Sequence, residues 1–211
     1  MPDALAGRLR SGHIVDNLPV SLPSWYVTTS EPDIAKAVSR LMGGQPERRR
    51  TDGGDCLEIL TDTDKVRIVV GTPTAVSTEM RLWKSSQLVH HCDGAEFLSP
   101  TDKRGTPCGC PPTFAERNAA AMEFRGPQPN SAITFRLADD TALGLFFYRS
   151  TSWKLAESMQ NVTAALERIG RRALAELGME LVTCTTRSGT RVSYRKPVIK
   201  VLGPWYEAAS G

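Results

Sequence analysis

Histidine is scarce, with 3 in 211 residues, namely His13, His90 and His91. A Ser-His-Asp or Cys-His catalytic arrangement therefore has little to draw on. No run approaches the roughly 18 consecutive apolar residues that a membrane span needs. The stretch Met1 to Arg10 has two arginines but no apolar block behind them, so it does not read as a secretory signal. Charge of one sign is not in excess either: 26 Lys and Arg stand against 23 Asp and Glu, a net +3. A protein that coats a polyanion carries a larger excess or a clear stripe of it. The chain contains no GxxxxGK[ST] loop, no GxGxxG after a strand, no HExxH, and no HxE with a downstream PCxxC. These absences argue against nucleotide hydrolysis, dinucleotide binding, zinc proteolysis and base deamination; nothing in the residues requests catalysis, and an intracellular, cytoplasmic protein is the expectation.

What is present is ordinary for a globular chain: 40% apolar, 23% charged and 7% aromatic residues. Length and composition predict a single domain over 1–211, with a flexible lead-in over about residues 1–20 and a cysteine-rich insertion at about 90–112. Leu22 to Thr29 reads as a strand. A helix is expected after Pro32-Asp33, with Ile34, Val38 and Leu41 on one face and Gly43-Gly44 as the stop. Gln45 to Asp55 reads as a polar, arginine-rich loop. Cys56–Thr61 and Lys65–Val70 have the spacing of a hairpin across Asp62-Thr-Asp64. A second strand pair is expected at Arg81–Trp83 and Gln87–His90. Thr113-Phe-Ala-Glu116 matches a capping box and opens a helix through Met122. Ile133–Leu137 and Leu143–Tyr148 read as paired strands, and Ser152 as the cap of a long helix. A shorter helix is expected over Arg172–Leu177. The last elements are a hairpin across Ser188-Gly189 and a final strand at Pro197–Leu202. Strands in pairs with helices between them predict an α+β fold, mostly antiparallel, with interspersed helices and a cysteine-rich metal loop.

The densest chemistry lies in that loop. Five cysteines in a chain without a secretory signal argue against a disulfide scaffold. Cys56 and Cys184 fall in alternating segments, where a lone cysteine packs as a small hydrophobe. Cys92, Cys108 and Cys110 instead cluster in His90-His91-Cys92 and Pro107-Cys-Gly-Cys-Pro111. A loop of about 20 residues rich in glycine and proline needs something to fix it. Zinc takes about four nitrogen or sulfur ligands in a tetrahedron. Three thiolates fill three positions, and His91 or His90 fills the fourth. Reduced cysteines without metal, or a Cys108–Cys110 redox pair, are the alternatives. A thiolate-rich site among turns has the pattern of a closed structural centre, although Asp93 and Glu96 are near in sequence.

The remaining candidates are surfaces. Basic residues gather at Arg48-Arg49-Arg50, at Arg171-Arg172, and in the alternating set Arg187, Arg191, Arg195 and Lys196. Charge runs are usually solvated faces. Tryptophans 25, 83 and 153 lie in expected core elements, whereas Trp205-Tyr206 follows the last strand as an aromatic pair suited to a partner contact. Candidate partner-binding residues are accordingly Arg187, Arg191, Trp205 and Tyr206, with the Gln45–Asp55 loop as a further face.

Several short matches occur in order along the chain. They begin with Arg10-Ser-Gly12, Pro19-Val-Ser-Leu22, Trp25 and Val27-Thr-Thr29. Cys92-Asp-Gly94 and Pro107-Cys-Gly-Cys-Pro111 follow, then Phe135-Arg-Leu137, Leu143-Gly-Leu-Phe146, Ser152-Trp153, Lys196-Pro-Val198 and Leu202-Gly203. From about Gly7 to Gly203 the sequence resembles the recombination directionality factors that accompany large serine integrases in phages of actinobacteria. The resemblance implies a non-enzymatic accessory protein that binds the integrase at its coiled-coil region and meets DNA only through it. In that reading the integrase is redirected from integration to prophage excision. Where the family pattern carries a further cysteine after the helix, this chain has Gly126-Pro-Gln-Pro129. The second reading of the residues is a metal-stabilised single-stranded nucleic-acid-binding protein of phage replication or recombination. Its support is the basic hairpin and the tryptophans.

Overall fold

Apolar residues at every second position dominate the chain, and they form strands. A computed structural model describes residues 5–15, 18–51, 54–185, 189 and 191–206. Its strands are β1 (Leu5–Val15), β2 (Leu18–Thr29), β3 (Pro46–Thr51), β4 (Gly54–Leu60), β5 (Lys65–Val70) and β6 (Val76–Lys84). They continue with β7 (Gln87–Cys92), β8 (Phe97–Ser99), β9 (Gln128–Leu137), β10 (Leu145–Ser150), β11 (Ala173–Thr185) and β12 (Arg191–Pro204). Three helices, α1 (Pro32–Met42), α2 (Phe114–Met122) and α3 (Trp153–Ile169), complete the described α+β architecture.

The sheet runs in the order β12-β11-β5-β9-β10-β1-β2-β4-β3, with β6, β7 and β8 branching from β9. β9 makes the branch by dividing one edge: Gln128–Ile133 pairs with β6, and Arg136–Leu137 with β5. Among the described pairs only β1–β10 is parallel; the rest are antiparallel. β12 returns towards β2, where the Arg195 backbone N–H donates to Ser21 Oγ at 3.2 Å.

One face of the sheet carries the main core. Leu9, Trp25, Val27, Ile59, Ile68, Ile133, Phe135, Phe146, Tyr148 and Leu177 are buried there. α1 adds Ala35, Val38 and Met42, and α3 adds Leu155, Met159, Val162 and Leu166 at helical spacing. Met80, Cys92 and Cys108 form a separate small cluster, with Phe97, Cys110 and Trp153 packed around it.

Four expectations are corrected. Residues 5–15 of the expected lead-in form β1, held between β2 and β10, because Leu9 and Ala6 have a core to enter. The expected loop at Gln45–Asp55 contains edge strand β3, whose Arg48 and Arg49 pair with Leu57 and Cys56 of β4. β4 and β5 form no hairpin: β4 pairs with β2 and β3, and β5 with β11 and β9. Their linker instead crosses between the two halves of the sheet. Thr61 N–H donates to Trp25 O at 2.9 Å, and Trp25 N–H to Thr63 O at 3.1 Å. Finally, Arg172–Leu177 is not a helix; Ala173 onwards is β11, buried between β12 and β5. The Ser188-Gly189 turn lies partly outside the described residues. No described helix is long and apolar enough to cross a membrane.

Candidate metal centre

Strand alternation decides which histidine meets the cysteines. On β7 residues two apart share a face, so His90 and Cys92 project together and His91 projects oppositely. His90 Nε2 lies 3.1 Å from Cys92 Sγ and 3.5 Å from Cys110 Sγ, and the two sulfurs are 3.6 Å apart. With Cys108 these donors form a group whose ligand atoms all lie within 4.8 Å of one another. Of the two histidines offered for the fourth position, His90 and not His91 therefore joins the three cysteines. The His91 ring is engaged elsewhere, with Nε2 3.1 Å from Glu79 Oε2 and Nδ1 2.9 Å from Ser99 Oγ.

The second arm of the site is built by turns. Asp93 Oδ1 accepts from the backbone N–H of Ala95 and Glu96, each at 2.8 Å, and folds the chain back after Cys92. Cys108 N–H then donates to Ala95 O at 2.8 Å, laying the Pro107–Pro111 knuckle against that turn. Gly109, at φ +73, lets the backbone reverse between Cys108 and Cys110 so that both thiols face inward. From α2, Arg117 fastens the two arms together. Its guanidinium donates to Pro111 O at 2.6 Å and to Gly94 O at 2.9 Å. Sequence reasoning assigns Arg117 no role. The signal that locates it is the capping box, in which Thr113 Oγ1 accepts from Glu116 N–H and fixes the first turn of α2.

Electrostatics describe a site suited to a cation. Burial pushes the Cys92 thiol well up, with contributions from Cys108 and Cys110 as neighbours. Burial also raises the Cys110 thiol. The His90 imidazole is lowered by burial and then by His91 and Lys103, so it is held in the neutral form that ligates metal. A bound cation inverts the logic for the thiols and stabilises thiolates. The geometry fits: in a tetrahedral zinc site, bonds of about 2.3 Å set sulfurs about 3.8 Å apart. Cys92 is fully buried and Cys108 is 9% exposed. His90, Cys92, Cys108 and Cys110 can therefore hold one metal ion with all four positions taken by protein.

The other candidate residues are dispersed. Arg187 lies outside the described residues, as does the side chain of Cys184. Cys56 is half-buried in β4. Arg191 is exposed at the start of β12. Trp205 is half-buried, its backbone N–H donating to Arg172 O at 2.8 Å. Tyr206 is exposed, with its hydroxyl accepting from Arg171 at 2.5 Å and its ring under that guanidinium at 4.6 Å. Tyr206 thus packs against Arg171, and Arg191 lies at the opposite end of β12 from this aromatic pair.

Fold and site together define an α+β protein built on a branched sheet, with a Cys3His cluster able to hold a metal ion. A family described as Gp3-like, recombination directionality factor-like, matches residues 6–202. The chain belongs to that family. No solved structure matches it.

Proposed function

We propose that the protein is a recombination directionality factor that binds a large serine integrase at its coiled-coil region and redirects it from integration to prophage excision. The observation that carries this reading is the family match across residues 6–202. The factor acts without catalysing chemistry itself, in the cytoplasm of a bacterial host, and reaches the attachment sites through the integrase. Such a factor must bind one synaptic arrangement better than the other, because equal affinity for both shifts nothing. A coupling of about 1–3 kcal/mol per bound factor is typical of such switching.

Zinc is the metal we assign to His90, Cys92, Cys108 and Cys110, because three thiolates and an imidazole are the donor set it prefers. Bound there, it supplies structural cross-linking: it ties β7 to the Pro107–Pro111 knuckle and, through Arg117, to α2. The test of function is recombination by purified integrase on both attachment-site pairs. Adding the protein should switch on recombination of the prophage-end pair and suppress the phage–host pair. An integrase encoded beside this chain that responds on neither pair overturns the reading.

A further inference from the structure

The face of the sheet opposite the main core is uncovered around its middle strands. Residues paired across strands share a face, so the registers Arg8↔Thr28, Arg8↔Phe147, Arg10↔Tyr26, Phe147↔Thr134 and Arg149↔Ala132 place all these side chains on one side. Their sequence neighbours Leu9, Val27, Ile133 and Tyr148 are buried on the other side, where α1 and α3 pack. Arg8, Arg10 and Arg149 are exposed, and Tyr26 and Phe147 are half-buried.

Charge on this face is arranged around the rings. Glu58, which is buried, takes Arg10 at 2.7 Å and Arg49 at 2.9 Å, and accepts from the Tyr26 hydroxyl at 2.9 Å. Arg10 also lies over the Tyr26 ring at 4.8 Å. Phe147 is flanked by two guanidiniums, Arg8 at 6.0 Å and Arg149 at 5.3 Å. Among the described residues no carboxylate pairs with either. Of the other acids on this side of the sheet, Glu47 is on edge strand β3 beside Arg49, and Glu79 of β6 is engaged by Arg81 and His91. Two like charges held about one ring repel, and an anion seated between them relieves that repulsion.

We propose that this face binds single-stranded DNA, with phosphates against Arg8, Arg10 and Arg149 and bases stacked on Phe147 and Tyr26. An open sheet presenting aromatic rings beside arginines is the arrangement that takes splayed bases. An acidic protein segment is satisfied by the guanidiniums and makes no use of the rings, and a duplex keeps its base faces stacked inside. The face is separate from the metal cluster and does not depend on the integrase reading.

The test is fluorescence anisotropy of the full-length, metal-loaded protein with a labelled oligothymidine of about 20 nucleotides, longer than the site of one such module. Salt is varied from about 50 to about 200 mM. Wild-type protein should bind, and its affinity should fall as salt rises. Arg8→Ala with Arg149→Ala should reduce the log–log slope by about 1.4, at roughly 0.7 for each phosphate no longer neutralised. Phe147→Leu should weaken binding about tenfold and leave the slope unchanged. Ultraviolet cross-linking of the wild-type complex, mapped by mass spectrometry, should place the adduct on Phe147 or Tyr26, which keeps the test independent of how the variants fold. No binding at low salt, wild-type affinity in the double variant, or an adduct confined to other strands overturns the proposal. So does tighter binding of the matching duplex, or equal competition by polyglutamate.

Discussion

Two adjacent imidazoles on β7 face opposite ways, and this fixes what each substitution should do. His90 points at the thiols of Cys92 and Cys110, while His91 bonds Glu79 and Ser99. His90→Ala should therefore lower the zinc content of purified protein from about one equivalent to less than half, whereas His91→Ala should leave it near one. Plasma emission on freshly reduced protein reads the difference, and an equal loss in both variants removes His90 from the ligand set. The cysteines and the two histidine candidates were legible in the sequence because their types and turn-rich setting point to metal. The choice between the histidines was not, since it depends on β7 running through Cys92 and so on which residues share its face. Elsewhere, Tyr148 is buried in the core with its hydroxyl 2.8 Å from Ser11 Oγ, and burial raises its ionisation above the usual value. A phenol raised in the fold contributes stability that is complete below the unfolded value of about 10 and is lost as pH rises beyond it. Urea midpoints should accordingly fall above about pH 10, and fall less steeply in Tyr148→Phe.

Among the elements, those with a local signal were readable. Pro32 and Gly43-Gly44 bracket α1 as expected; Gly43 is at φ +76, and an added Cβ would lie 2.2 Å from Asp62 Oδ2. The capping box of α2 and the Ser152 cap of α3 are both present. The β6–β7, β9–β10 and β11–β12 pairs also match the alternation of their sequences. What failed was long-range. Leu174-Ala175-Glu176-Leu177 is built from good helix formers, yet it pairs with Val66–Val69 of β5 on one side and with β12 on the other. Burial of Ala175 and Leu177 in the main core outweighs a propensity difference of well under about 1 kcal/mol per residue. The same logic hid β3, whose arginines carry no apolar pattern because it is an edge. Thr113→Ala removes the side-chain half of the α2 capping box, leaving the backbone N–H of residue 113 to donate to Glu116, and should cost about 1 kcal/mol in thermal or urea unfolding. It should also weaken metal retention, because α2 carries Arg117; unchanged retention separates the helix from the site.

At the scale of the molecule, the metal cluster is a satellite of the main core. Met80, Cys92 and Cys108 are grouped apart from the residues that unite β1, β2, β9, β10, β11 and α3. Chelation should therefore act locally. Hydrogen exchange should accelerate over about residues 88–126 while β9, β10 and β11 keep their protection, with metal-free protein still unfolding cooperatively. Exchange that accelerates evenly throughout the chain contradicts that division.

β1 has a different bearing on the whole. It enters the sheet between β2 and β10, and its partner Leu145–Tyr148 lies far along the chain. During synthesis β1 has one edge unpaired until β10 has emerged. The nascent polypeptide must keep that edge from neighbouring chains, and closure of the sheet waits on translation of β10.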